Sequence, residues 1–174
     1  VTGVQTCALP ISLLPILSAF MGGTGQAHLS GMLRNARHRS ADGFLALLAD
    51  RFAYESHFVG AMDAAQVDAI LCPATPIPAV RHGDTADLAD FFGSMLLFNL
   101  LGFPAGTVPI TKVRAGEESD RPQSRDKAEQ AARRAEEGSA GLPISVQVAA
   151  RHWREDLVLA IMGALEQEAR DRKS

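Results

Sequence analysis

The stretch FNLLGFPAGTVPI, residues 98–110, decides how this chain is read. Phe98, Leu100 and Leu101 close an apolar helical run, Gly102 and Pro104 end it, and Thr107 to Ile110 make a short apolar strand. Glycine accepts the left-handed backbone that closes a helix, and proline has no N–H with which to continue one. Upstream, Leu88, Phe91, Phe92, Met95 and Leu96 recur at i, i+3, i+4, i+7 and i+8, which predicts one helix capped by Thr85 with a broad buried face. Before it, VDAILCPATPIP (67–78) predicts a buried strand over Val67–Cys72, ended by Pro73, Pro76 and Pro78, then a loop over Ala74–Ala79. From Ser40 to about Gln66, Phe44, Leu45, Leu47, Leu48, Phe52, Phe58, Val59 and Met62 are spaced for one long helix, with Ser40 or Asp42 as its N-cap.

Downstream the composition changes. Residues 114–137 are almost wholly polar, and DKAEQAARRAEE (126–137) has high helix propensity without a wide apolar face, so the segment at about 114–140 reads as a solvated insertion. LPISVQVAA (142–150) then alternates Ile144, Val146 and Val148 with Ser145 and Gln147, the period of a strand. A last helix is expected from Trp153 or Glu155 to Ala169, burying Leu157, Val158, Ile161, Met162 and Leu165, with Trp153 packed. Helices alternating with short buried strands give an α/β fold class.

The whole chain has 174 residues, 47% of them apolar and 21% charged, enough for one ordinary core. With 17 basic and 20 acidic side chains the net charge is -3, which gives no electrostatic basis for a nucleic-acid partner. No run approaches the roughly 18 apolar residues of a bilayer span, and the lack of membrane and secretory signals points to the cytoplasm. Val1 to Ile11 (VTGVQTCALPI) matches the translation of a sequencing adapter, so residues 1–11 are set aside as artefact and 12–174 as the protein sequence proper, cut short upstream. Cys72 then remains as the one thiol.

Three segments in order, VDAILCPATPIPA, FNLLGFPAGTVPI and GLPISVQVAARHWREDLVLAIMGALE, resemble the C-terminal third of amidase-signature enzymes over about Gly43 to Glu166. The Phe-Pro-Ala-Gly wording, the polar insertion before Gly141 and the run His152 to Leu157 are most similar to fatty-acid amide hydrolases and their bacterial relatives. The resemblance implies the C-terminal part of a single amidase domain, incomplete here, with a mixed β-sheet covered by helices. It implies hydrolysis of the C–N bond of linear amides, fatty-acid amides among them, by a serine nucleophile, a second serine and a lysine base. A neutral amine beside the hydroxyl can take its proton, which a protonated surface lysine cannot.

In the family those three groups lie upstream of the segments matched. Met21-Gly22-Gly23-Thr24-Gly25 has no serine in the right place, and Lys112, Lys127 and Lys173 lie in polar surroundings. No catalytic residue is therefore assigned, and the family chemistry needs no cofactor. The resemblance instead assigns acyl-chain contacts to Phe92 and Leu96, with Met95 and Phe91 beside them; their other reading is as core. Asn99 and Pro104 are expected to support the turn. A small-molecule amide is the expected partner, and the oligomeric state stays open.

The remaining polar residues read more plainly. His28, His38, His57, His82 and His152 fall in no metal-binding spacing. Cys72 before proline reads as inert packing. Arg34, Arg37, His38 and Arg39 read as a solvated face. The rival to a truncated hydrolase is a non-catalytic binding or scaffold module built on the same fold.

Overall fold

A computed structural model describes residues 13–35 and 39–171. The adapter-like segment with Cys7, together with Arg37, His38 and Lys173, lies outside them.

Helices α1 (Leu14–Gly23) and α2 (Ala27–Asn35) form a hairpin through Gly25, whose φ is +83°. Two buried serines, Ser18 and Ser30, join them: each hydroxyl donates to the other's main-chain carbonyl at 2.9 Å. Helix α3 (Ala41–Ala64) is the expected long helix. The Ser40 hydroxyl caps it, accepting from the Gly43 N–H at 3.1 Å and so satisfying one of the orphan donors of the first turn. Its C-terminal end packs through Phe58, Val59 and Met62, while Phe44, Leu45, Leu47 and Phe52 stay exposed.

Among the described residues three strands build one sheet: β1 (Ala69–Pro73), β2 (Ala105–Lys112) and, between them, β3 (Pro143–Ala150). Both pairings are antiparallel, so the mixed character expected of the whole domain has no parallel pair among the described residues. One face, with Ile70, Cys72 and Ala149, packs on Met62 of α3 and on Phe98, Leu101 and Phe103. The other, with Val148 and Ala150, packs on Val158, Ile161, Met162 and Leu165 of α6 (Glu155–Asp171). The fold is thus α/β, a sheet with helices on both faces. The alternation read in β3 holds as strand but not as one wet face: Gln147 to Ala150 are all buried because helices cover both sides.

Gly106 belongs to this arrangement. A Cβ there would collide with the Met162 sulfur and touch Val158, so the bare backbone is what lets α6 lie flat on β2.

Three expectations are corrected. The helix foreseen from Thr85 is two elements, a 3-10 helix over Asp84–Phe92 and α4 over Gly93–Leu101. Asp84, Thr85 and Asp87 are poor α-helix formers, and the 3-10 period of three stacks Leu88 and Phe91 on one edge. The insertion is not wholly solvated, because α5 (Lys127–Glu136) buries Ala128, Ala131, Ala132 and Ala135. A row of methyl groups makes an apolar face too narrow to notice in sequence, yet wide enough to seat on Ile77 and Leu88. Trp153 does not pack: it is 88% exposed, with φ +64°, in the turn before α6, which therefore begins at Glu155.

Gly102 closes α4 at φ +68°, its N–H donating to the Asn99 carbonyl and the Phe103 N–H to the Phe98 carbonyl. An added Cβ would also stand 3.2 Å from the His152 ring. Gly102→Ala is expected to lower stability by about 1–2 kcal/mol, read as an earlier urea midpoint with an unchanged slope. No helix among the described residues is long and apolar enough to cross a membrane.

Candidate functional site

The 3-10 helix and α4 meet at Gly93, and the residues expected to line a pocket flank that joint. Phe92 and Met95 share a cleft of about 420 Å³ with Thr75, Ile77 and Val80 of the proline loop and Thr107, Ile144 and Ser145 of the sheet. The loop keeps its shape through Thr75, whose hydroxyl donates to the Ile77 carbonyl at 2.6 Å. Phe91 faces a second cavity of about 530 Å³, with His28, Cys72, Pro73, Pro76, Gly93 and Glu129. Leu96 is 57% exposed, on an open surface with Leu97, Asn99 and Leu100. The four candidates therefore lie along one stretch of chain but serve three surfaces, and only Phe92 and Met95 are brought together. A turn of 3-10 backbone rotates residues by about 120° instead of 100°, enough to separate side chains that an unbroken α-helix would align.

Of the two supporting residues, Pro104 is half-buried, and its carbonyl accepts the Ala150 N–H at 3.1 Å, tying the FPAG segment to the end of β3. Asn99 is exposed, and its main-chain carbonyl, not its amide side chain, receives the Gly102 N–H. Its side chain lies at the surface because α4 turns that position outward.

The insertion contributes residues that the sequence pattern did not single out. The Arg121 guanidinium bonds Glu129 at 2.7 Å and Glu136 at 2.7 Å, and lies 5.4 Å from the centre of the Phe91 ring. Burial pushes the Glu136 carboxyl up, but the bonds from Arg121 and from the Ser119 hydroxyl at 2.7 Å outweigh it and hold the carboxyl below its ordinary range. Hydrogen bonding to Glu136 likewise holds Arg121 above its own. Asp126 caps α5 by accepting from the Ala128 N–H at 2.8 Å, and it reaches the His28 N–H of α2 at 3.2 Å. Burial raises that carboxyl and these backbone bonds outweigh it, so it too sits below its ordinary range. The sequence signal for this docking was the alanine row together with Arg121 placed among Glu129 and Glu136.

Neither the Cys72 thiol nor the paired serines has the surroundings of an activated nucleophile. Burial pushes the Cys72 thiol up, which leaves little thiolate for attack. The serine pair Ser18 and Ser30 spends its hydroxyls on main-chain carbonyls, and among the described residues no hydrogen bond joins either to a lysine. Lys112 and Lys127 are exposed. Among the described residues no group of three His, Cys, Asp or Glu side chains is placed to hold a metal ion.

Residues 23–159 match the family model described as Amidase. The chain belongs to the amidase family. This amidase-family chain is 38% identical over 140 residues to fatty acid amide hydrolase 1 of Caenorhabditis elegans, covering 78% of the chain and 24% of that relative. It is 31% identical over 154 residues to fatty-acid amide hydrolase 1 of Sus scrofa, covering 86% of the chain and 26% of the relative. A solved structure of a fatty acid amide hydrolase superposes with a TM-score of 0.61 at 17% identity, over 92% of the chain and 32% of that structure, and so carries the same fold. The amidase segment described here thus spans about a quarter of the length of its fatty acid amide hydrolase relatives.

Proposed function

We propose that this chain is the C-terminal part of an amidase that hydrolyses the C–N bond of linear amides, fatty-acid amides among them. In this reading the Ser-Ser-Lys machinery is supplied by sequence upstream, and residues 12–174 supply pocket walls. A small-molecule amide as substrate and a cytoplasmic location go with it. The observation that carries the proposal is the 38% identity to a fatty acid amide hydrolase across most of the chain. The apolar cleft of Phe92, Met95 and Ile77 adds support, being the kind of surface that takes an acyl chain. The exposed row Phe44, Leu45, Leu47 and Phe52 on α3 also fits an apolar face that the rest of a larger domain would cover.

The test is acyl-chain selectivity in the full-length enzyme, measured as kcat/KM over amides of increasing chain length. Phe92→Ala and Met95→Ala are expected to lower kcat/KM for long-chain amides by about 10-fold or more while sparing short ones, since each buried methylene contributes about 0.8 kcal/mol. Equal losses at every chain length would contradict this placement of the acyl chain. Absence of any amide turnover would favour the binding or scaffold module instead.

A further inference from the structure

The hairpin of α1 and α2 is fastened to the rest of the chain by different means from the other helices. Its buried side chains, Ser18 and Ser30, bond across the hairpin itself. Among the described residues none of its apolar side chains joins the three core clusters that tie α3, α4, α5, α6 and the 3-10 helix to the sheet or to the proline loop. Ile16, Phe20, Leu29 and Met32 are exposed.

The joint to the body is mainly polar. Gln26 and Asp126 stand at the N-termini of α2 and α5, and each serves the other's helix. Gln26 Oε1 accepts the Lys127 N–H at 3.0 Å, its Nε2 donates to the Arg125 carbonyl at 2.8 Å, and an Asp126 carboxylate oxygen accepts the His28 N–H at 3.2 Å. The first N–H groups of a helix have no partner within it, so two helices that meet end to end satisfy them by exchanging caps. Beside the joint, the His28 ring reaches Glu129 at 3.4 Å and lies 5.6 Å from the Phe91 ring. Leu29 and Met32 face a cleft of about 50 Å³ whose opposite side holds Asp87 and Lys127.

Apolar burial is the main term that keeps an element docked, whereas one neutral hydrogen bond multiplies the closed population by only about 5-fold. An element held by a few such bonds and by no shared core opens far more often than the sheet beside it. When the hairpin lifts it carries His28 away, and His28 is one wall of the cavity of about 530 Å³ that also holds Phe91 and the half-buried Cys72.

We propose that the α1–α2 hairpin is a lid over the Phe91 cavity, released as one body when the Gln26–Asp126 joint parts and admitting small apolar molecules. The serine pair keeps the two helices together as they move, and the exchanged caps set how often they do. The lid stands independently of the amidase reading.

The experiment compares the unmodified full-length protein with Gln26→Ala. It records hydrogen exchange along the chain, alkylation of Cys72 by N-phenylmaleimide read on the Cys72 peptide, and the thermal midpoint. Gln26 does not line the cavity, so a change in alkylation reports the lid and not an altered wall. Lys127→Pro is the second variant and loosens the joint from the other side. Proline is accepted at the first position of a helix when the residue before it is extended, as Asp126 is at ψ 128°, and it removes the N–H that Gln26 accepts. Exchange in residues 14–35 and alkylation of Cys72 are both expected to rise, about 10-fold or more for Gln26→Ala and about 5-fold for Lys127→Pro, with exchange in β3 and α6 and the midpoint unchanged. Exchange that rises throughout the protein, or that stays the same in the hairpin, would overturn the lid. Faster exchange in the hairpin with unchanged alkylation of Cys72 would overturn it too, and each of these results leaves the amidase reading as it stands.

Discussion

Arg121→Ala is expected to lower the stability of the chain by about 2–4 kcal/mol, because it leaves Glu136 and Glu129 facing each other without their shared cation. Glu136 is 9% exposed, too buried for water to take the place of the guanidinium. The same substitution removes the group that lies over the Phe91 ring, so the contact between the insertion and the 3-10 helix weakens from both sides. Urea titration gives the magnitude, and proteolysis within residues 114–126 gives the location. Replacing both Arg121 and Glu136 by methionine is expected to recover part of the loss, since breaking a buried pair is worse than removing it.

The pH dependence follows from the same geometry. The folded-state carboxyl of Glu136 titrates below its unfolded value, so the pair's contribution is full above about pH 4.3, the ordinary glutamate value, and is lost as pH falls through the depressed one. An Arg121→Ala penalty that is equally large at pH 7 and well below pH 4 would contradict this account.

Leu101→Ala is the second large effect, about 2–5 kcal/mol. Leu101 is fully buried at the end of α4, in the cluster with Met62 of α3, Phe103 and Ala149 of β3. Truncation there opens a cavity where three elements meet, and neither the sheet nor a capped helix end can readily collapse into it. Because α4 also carries Met95 at its other end, the acyl-length selectivity of the full-length enzyme is expected to blur along with the loss of stability. A calorimetric scan that shows Leu101→Ala melting within a degree or two of the parent would contradict this packing.

Much of the architecture was legible because its elements announce themselves locally. Ser40 is a capping residue followed by a helical run, Gly102 stands where a left-handed residue is required, and Pro143 to Ala150 has strand period. What sequence concealed depends on partners remote in the chain. The alanine face of α5 becomes apolar surface only when Leu88 and Ile77 lie against it, and the break at Gly93 shows only in the poor propensity of Asp84, Thr85 and Asp87. The candidate site was legible as a stretch of chain but not as a pocket, because a 3-10 segment sends Phe91 and Phe92 to different cavities. Trp153 misled through its size: large aromatics usually pack, but a positive φ in the turn before α6 points this one at solvent.

The proposal that the catalytic groups lie outside this segment is open to direct measurement with a serine-reactive fluorophosphonate applied to the purified 174-residue chain, followed by assay of the same sample on a long-chain amide. Neither specific labelling nor turnover is expected, whereas the full-length enzyme is expected to show both. Stoichiometric labelling of a serine between residues 12 and 174, abolished by denaturation and accompanied by amide hydrolysis, would contradict the account.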